Sequence, residues 1–281
     1  MIDGSLLTSF VAFGEHRNMT RAARAVGISQ PAFFERLQRL ADEVGQPLYA
    51  RRGRELVLTA AGERVLAFAR DRAADHALLL AELRGTEEPR VVTLAAGEGA
   101  YLYLLGHALT RFSGARLDLL TLGARATLEA LRTGVAQLGV AVVDVVPRGI
   151  TAQPIVTTPL CVALPARHRL VKVKRIALTD LRGERWILPP EGQLHRDLVS
   201  RAIARSGDSP AHALEADGWP LTLQFVALGL GVAIVNGTCI APKGVEIRPV
   251  PELGSVTYRL LARANAALSP DAQRLAALLV P

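Results

Sequence analysis

At 281 residues and 30.0 kDa the chain exceeds one average domain, and a composition 50% hydrophobic and 21% charged excludes a disordered polymer. Cys161 and Cys239 lie far apart, which excludes a CxxC metal knuckle and a disulfide framework, while the absence of any run of eighteen apolar residues excludes a spanning helix; a cytoplasmic, unexported chain is expected. The net charge of +7 does not by itself identify a partner, because residues 1–88 hold 12 Arg and no Lys against 12 acids and the whole excess lies beyond them.

Leu6, Phe10 and Phe13, widened by Leu7 and Val11, predict an amphipathic helix that stops before His16, Arg17 and Asn18. Thr20 is placed to cap a short second helix, and Gly27 stands where a helix end wants positive φ. Ser29 caps a third helix with Pro31 in its first turn, and Phe33, Leu37, Leu40 and Val44 mark its buried face. Two helices joined by so short a glycine-bearing turn read as helix-turn-helix. After Gly45 and Pro47, the apolar residues Leu48, Tyr49, Leu56, Val57 and Leu58 flank Arg51, Arg52, Gly53 and Arg54, predicting a β-hairpin with a basic tip. Thr59 then caps a long helix to about Leu83, ended by Gly85 and Pro89, with Leu66, Ala69, Ala73, Leu80 and Leu83 near a heptad seam that a second copy would cover.

From Arg90 strands alternate with helices: Val91 to Ala96, helix Ala100 to Phe112, Leu117 to Leu122, helix Arg125 to Arg132, and Leu138 to Val143. A parallel sheet covered on both faces is expected. A second set comprises Leu160 to Leu164, Trp186 to Leu188, helices Leu194 to Arg205 and Leu221 to Leu228, and Val232 to Val235. Strand Tyr258 to Ala262 and a helix after Pro270 are expected to return to the first lobe, with hinges near Val156 to Pro159 and Val250 to Tyr258.

Residues 19–66 carry Ala22 and Ala23, the run Ser29-Gln30-Pro31-Ala32, Leu37 and Leu40, Gly45, Pro47-Leu48, the arginine-rich hairpin and Thr59-Ala61-Gly62. This stretch resembles the LysR-type transcriptional regulators, and looser matches at Leu109 to Phe112, Pro159 to Pro165 and Gly229-Leu230-Gly231 extend the resemblance over nearly the whole chain. It implies an α+β multidomain protein: a winged helix-turn-helix in 1–58, a dimerising linker helix in 59–88, and a two-lobed α/β periplasmic-binding-protein-like effector domain in 89–281. Lobe I is expected over about 89–157 and 257–281, and lobe II over about 158–256. The implied partners are double-stranded DNA bearing a pseudo-palindromic operator, a small-molecule effector, a second copy in a homodimer or homotetramer, and RNA polymerase. No membrane, cofactor, metal or catalytic role is expected.

The candidate DNA contacts are Thr20, Arg21, Ser29, Gln30, Pro31, Phe34, Glu35, Gln38, Arg39, Arg51, Arg52 and Arg54. Gln30 suits adenine, Glu35 accepts from cytosine N4, and Phe34 suits a thymine methyl, although an exposed phenylalanine serves packing equally well. Family members usually place Ser, Arg and Gln where this chain has Phe34, Glu35 and Arg36, so the operator sequence stays open. Wing arginines suit phosphate or a narrow minor groove.

The candidate effector crevice joins Gly97, Glu98, Gly99, Ala100 and Tyr101, then Gly123, Ala124 and Arg125, to Pro189, Pro190, Glu191 and Gln193 and to Trp219 and Thr222. Glycines there admit a close backbone and free N–H groups favour an anion. Glu98 repels an anion unless it points outward or pairs with Arg125, which leaves an amine-bearing or uncharged effector open. His195 is expected at the surface and Trp219 serves equally as a core aromatic. The chain has no HExxH, GxSxG or Walker loop, Gly229 and Gly231 lack the dinucleotide fingerprint, and Cys161 sits in an apolar strand as a buried thiol.

Overall fold

The computed structural model describes residues 2–53, 55–84, 90–207, 213–264 and 266–280, so Arg54, Gly85 and Pro89 lie outside the described residues. Helix α1 (Gly4–His16) starts on Asp3, whose carboxylate accepts from Ser5 N, and buries Leu6, Phe10 and Phe13. Helix α2 (Met19–Ala25) is capped by Asn18, whose Oδ1 accepts from Arg21 N at 3.0 Å, not by Thr20. A cap must precede the first helical residue, and Met19 is already helical. Gly27 takes φ +72 and Ser29 caps α3 (Gln30–Val44) through Ala32 N. Phe33, Leu37 and Leu40 pack on α1 and α2 in a single apolar cluster, with Val44 only half-buried at its edge.

Strands β1 (Tyr49–Arg52) and β2 (Glu55–Leu58) form the hairpin, with Gly53 at φ +64 in its turn. Thr59 fastens the wing to α4 (Ala60–Arg84): its hydroxyl donates to Pro47 O at 2.7 Å and accepts from Gly62 N at 3.0 Å. Gly62 is required there, because a Cβ would sit 1.9 Å from Leu48 O. Leu66 enters the cluster of the first three helices and Ala69 is buried, whereas Ala73 is exposed and Leu83 is 75% exposed, so the expected seam is covered only in its first part.

The remainder alternates β3 (Val91–Ala96), α5 (Glu98–Tyr103), α6 (Gly106–Arg111), β4 (Arg116–Thr121), α7 (Ala124–Arg132), β5 (Leu138–Val142), β6 (Ile150–Pro165), β7 (Trp186–Leu188), α8 (Leu194–Arg205), β8 (Ala213–Glu215), α9 (Trp219–Ala227), β9 (Ala233–Asn236), β10 (Val245–Pro249), β11 (Ser255–Arg263) and α10 (Pro270–Leu279). The helix expected over Ala100 to Phe112 is two, broken at Leu104 and Leu105, where the amides of both residues turn back to Ala100 O and Leu105 drops into the core. The sheet is mixed rather than parallel. Strand β3 runs parallel to β4 and β5, but β11 pairs antiparallel with β5 and β6 because the chain returns from lobe II in the opposite sense.

The expected crossover near Val156 to Pro159 lies inside β6, a 16-residue strand. Its residues 150–159 pair with β11 in lobe I, and 160–165 pair with β9 and β10 in lobe II. Within lobe II, Leu160, Val162 and Leu164 face the cluster that contains α8, and Cys161 and Ala163 face the one that contains α9, the period of two expected of a strand buried on both sides. In lobe I, α5, α6 and α10 cover one face of the sheet and α7 the other. Among the described residues no helix is long and apolar enough to cross a membrane.

The N-terminal unit touches lobe I through α4. Arg70 donates to Thr133 O at 2.6 Å, Asp71 accepts from Arg263 Nη2 at 2.8 and 3.0 Å, and Arg263 Nη1 donates to Leu131 O at 3.0 Å. Arg17, at the end of α1, lies 3.5 Å from Glu129 of α7.

Candidate nucleic-acid interface and effector crevice

Helix α3 is buried on one side and open on the other. Ser29, Gln30, Pro31, Phe34, Glu35, Gln38 and Arg39 are all exposed, as are Thr20 and Arg21 at the start of α2. The Thr20 hydroxyl donates to Gln30 Oε1 at 3.0 Å, tying the first turn of α2 to the first turn of α3. Gln38 Nε2 donates to Asp42 Oδ1 at 3.3 Å, so it lies along its own helix. Arg36 turns inward to Ser9 Oγ at 3.3 Å and leaves the open face. Met19, Gln30, Pro31 and Phe34 line a concavity of about 350 Å³. Arg51 and Arg52 are consecutive residues of β1, so their side chains leave opposite faces of the wing, and Arg51 Nε is engaged by Gly53 O.

Where a crevice between the lobes is expected, one of its loops is instead engaged by a protein contact. Gly97 caps α5, and Glu98 reaches across to lobe II, where Oε2 accepts from Trp219 N at 3.1 Å. The carboxylate therefore neither points outward nor pairs with Arg125, which is exposed and makes no hydrogen bond or ion pair among the described residues. Its partner is the first amide of α9, a place where the helix dipole favours negative charge. Two glycines make this approach feasible. A Cβ on Gly99 would lie 2.3 Å from the Trp219 indole nitrogen, and Gly218, at φ +83, would bring a Cβ within 2.6 Å of Glu98 Oε2.

Other expected crevice residues are distributed unevenly. Gln193 and Asp217 meet at 2.9 Å, Pro189 O accepts from Arg196 at 2.6 Å, and Glu191 is exposed. Gly123 caps α7 and Ala124 begins it, while the Thr222 hydroxyl is spent on Gly218 O within α9. Ala100 is buried in lobe I, and the Tyr101 hydroxyl contacts Leu94 O at 2.7 Å and Leu120 O at 3.2 Å; burial pushes its pKa up to about 12.

His195 is not the surface residue expected. Its ring meets Trp219 edge-on at 4.8 Å, and Nε2 stands 2.9 Å from Ile234 O, which only a protonated Nε2 satisfies. Burial pushes its pKa below the usual histidine value, so it is neutral with Nε2–H as donor. Tyr103, from lobe I, packs into the lobe II cluster with Trp219 and Cys239. At the lobe junction Asn236 contacts Tyr258 Oη at 2.5 Å, beside buried Thr158. Asn236, Tyr258 and Tyr103 carry no local signal: an asparagine ending an apolar strand reads as a turn, and the tyrosines fall inside apolar runs. Burial raises both thiols, Cys239 to about 12, as fits the inert role expected of Cys161. No group of three or more metal-ligating side chains occurs among the described residues.

Two family models match the chain: a bacterial regulatory helix-turn-helix of the lysR family over residues 5–63, and a LysR substrate binding domain over residues 85–281. The Hca operon transcriptional activator of Escherichia coli (strain K12) is 30% identical over 239 residues, covering 82% of this chain and 80% of that protein. A RuBisCO operon transcriptional regulator of Allochromatium vinosum is 28% identical over 239 residues, with 82% and 78% covered. Among solved structures, ArgP from Mycobacterium tuberculosis matches with a TM-score of 0.73 at 17% identity, over 99% of this chain and 96% of that one. Full-length OxyR from Pseudomonas aeruginosa matches at 0.68 and 21% identity, over 99% and 93%. At these identities the structural likeness is one of fold.

Proposed function

Because the chain belongs to the LysR family of transcriptional regulators, which bind DNA through a helix-turn-helix and respond through an effector-binding domain, we propose that it works as a symmetric dimer or tetramer on a pseudo-palindromic operator. The observation that carries the reading is the division of α3: Phe33, Leu37 and Leu40 are buried, while its N-terminal polar residues are all open to a groove. In this reading Gln30, Pro31, Phe34, Glu35, Gln38 and Arg39 face base edges, and Thr20, Arg21, Ser29, Arg51, Arg52 and Arg54 face the backbone or a minor groove. The DNA-binding unit is 1–58, the dimerising helix 59–88 and the effector unit 89–281. Phe68, Leu79 and Leu83, exposed on α4, support pairing with a second copy.

The effector enters between Gly97–Tyr101 and Gly123–Arg125 of lobe I and residues 189–193, Trp219 and Thr222 of lobe II. It acts by changing the Glu98 to Trp219 closure, and α4 passes the change to half-site spacing with a coupling of about 1–3 kcal/mol. The protein is cytoplasmic, holds no cofactor, carries out no catalysis, and meets RNA polymerase at the promoter.

The test is fluorescence anisotropy against the DNA upstream of its own gene, at several salt concentrations. Expected is an affinity that falls by about 10³-fold or more between 50 and 200 mM salt, as about six phosphate contacts require. Binding that ignores salt, or no binding, sinks the reading.

A further inference from the structure

We propose that a hollow in lobe II, roofed by α8 and set against the junction of the lobes, is a second ligand site, one that takes a small carboxylate carried on an apolar body. It is separate from the crevice. None of the loops expected to hold the effector, residues 97–101, 123–125 and 189–193, lines it, and neither Trp219 nor Thr222 does.

The hollow arises because α8 is pinned at both ends and small in between. In its first turn His195 donates through Nε2 to Ile234 O at 2.9 Å, and at its last residue Arg205 Nη2 donates to Glu252 O at 3.3 Å. Leu198, Arg201, Ala202 and Arg205 recur at i, i+3, i+4 and i+7, so they share one face of the helix. Ala202, in the middle of that face, ends at Cβ and leaves the space against Leu160, Ile234 and Leu253 unfilled, a cavity of about 310 Å³. That volume is at the lower end of the range for small-molecule pockets and suits one ring or a short chain. Leu160, Ile234 and Leu253 are all buried, so the floor is apolar.

The rim carries charge of one sign. Arg201 and Arg205 are both exposed. An arginine in the last turn of a helix suits the dipole, and Arg205 is partly engaged by Glu252 O, so it needs no ligand to explain it. Arg201 stands a turn earlier and makes no hydrogen bond or ion pair among the described residues, although Asp197 lies one turn before it. Its guanidinium is a planar fork of donors matched to the two oxygens of a carboxylate. An apolar body fills the floor while the acid meets the fork. An alcohol of the same shape leaves the fork unmatched, and an amine is repelled by both arginines.

The floor is built from both passages between the lobes. Leu160 is the first residue of β6 to pair inside lobe II, and Leu253 precedes Gly254, from which β11 sets out. Leu160 N donates to Gly254 O at 2.9 Å, which ties the two passages together beside the hollow. Occupancy therefore braces the junction itself, from outside the crevice.

The experiment uses the full chain without DNA, with octanoate as the probe and 1-octanol and octylamine as partners of equal length. Equilibrium dialysis is expected to show saturable binding of one octanoate per chain, with the alcohol and the amine at least about tenfold weaker, as loss of a charged hydrogen bond requires. Arg201→Gln, at an exposed position that leaves the core intact, is expected to weaken octanoate about tenfold and to leave 1-octanol unchanged. Hydrogen exchange locates the site: octanoate is expected to slow exchange at the Leu160 amide and over residues 250–256, and not over 97–101 or 189–193. Absent or unsaturable binding, equal affinity for 1-octanol, an unchanged affinity in Arg201→Gln, or protection confined to the crevice loops each overturns the assignment. None of these results bears on DNA binding, so the proposal fails or stands apart from that reading.

Discussion

The contact between Asp71 and Arg263 is the best place to test whether α4 is held to lobe I by specific chemistry. The arginine side chain is 14% exposed and the aspartate 37%, and Arg263 also donates to Leu131 O. Removing one partner of a fully buried pair costs about 3–5 kcal/mol. Water reaches this carboxylate, so a surface pair's small value must be weighed in, and a coupling of about 1 kcal/mol is expected. Burial outweighs the arginine and raises the Asp71 pKa above its ordinary value. The folded state therefore holds its proton to higher pH than the unfolded chain, and this group's contribution to stability falls as pH rises from 3.8 through the raised value, the reverse of a usual salt bridge. Native-state hydrogen exchange over residues 64–72 in Asp71→Ala, Arg263→Ala and the double variant measures the coupling where it acts. If the two single variants simply add, within about 0.3 kcal/mol, Asp71 and Arg263 do not act as a pair across the contact between α4 and lobe I, and the reasoning is refuted.

Three further outcomes are expected. Gly99→Ala puts a methyl into the Trp219 indole and breaks the Glu98 contact to its amide, so the fluorescence of a chain with two tryptophans, one of them buried Trp186, shifts to the red; an unchanged spectrum contradicts the closure. Since the His195 pKa is lowered, the unfolded chain takes up a proton first as pH falls below about 6.5, and stability is lost from there down through the folded value. His195→Gln should flatten that part of the profile of melting temperature against pH, and a parallel profile counts against it. Gly62→Ala drives a Cβ into Leu48 O and is expected to cost about 3 kcal/mol in the N-terminal unit, read by urea unfolding, with a wild-type midpoint as the contrary result.

The N-terminal unit was legible because its signals are local: Ser29 with Pro31 opens α3, Gly27 and Gly45 close helices at positive φ, and the buried face follows one period. Lobe II was harder. Strand β8 has three residues, and β10 lies between prolines and was not anticipated. Prolines also hid the length of β6, where Pro154 sits at the irregularity in pairing with β11 and Pro159 at the change from one lobe to the other. Both are positions where a missing N–H is tolerated. The crevice could not be foreseen in detail, because Glu98 and Trp219 are 121 residues apart and only the fold brings a carboxylate to that amide.

Strands β6 and β11 are the two passages between the lobes, and around the junction they are hydrogen-bonded to each other, Pro159 opposite Ser255 and Thr158 opposite Val256. The connection is thus a ribbon, not a pair of separate threads. A two-stranded ribbon accommodates extra twist readily, whereas folding it sharply would sever its ladder. Any rotation of one half of the effector unit against the other would therefore be torsional, like wringing a strap, because the paired strands yield to twist before they yield to a fold.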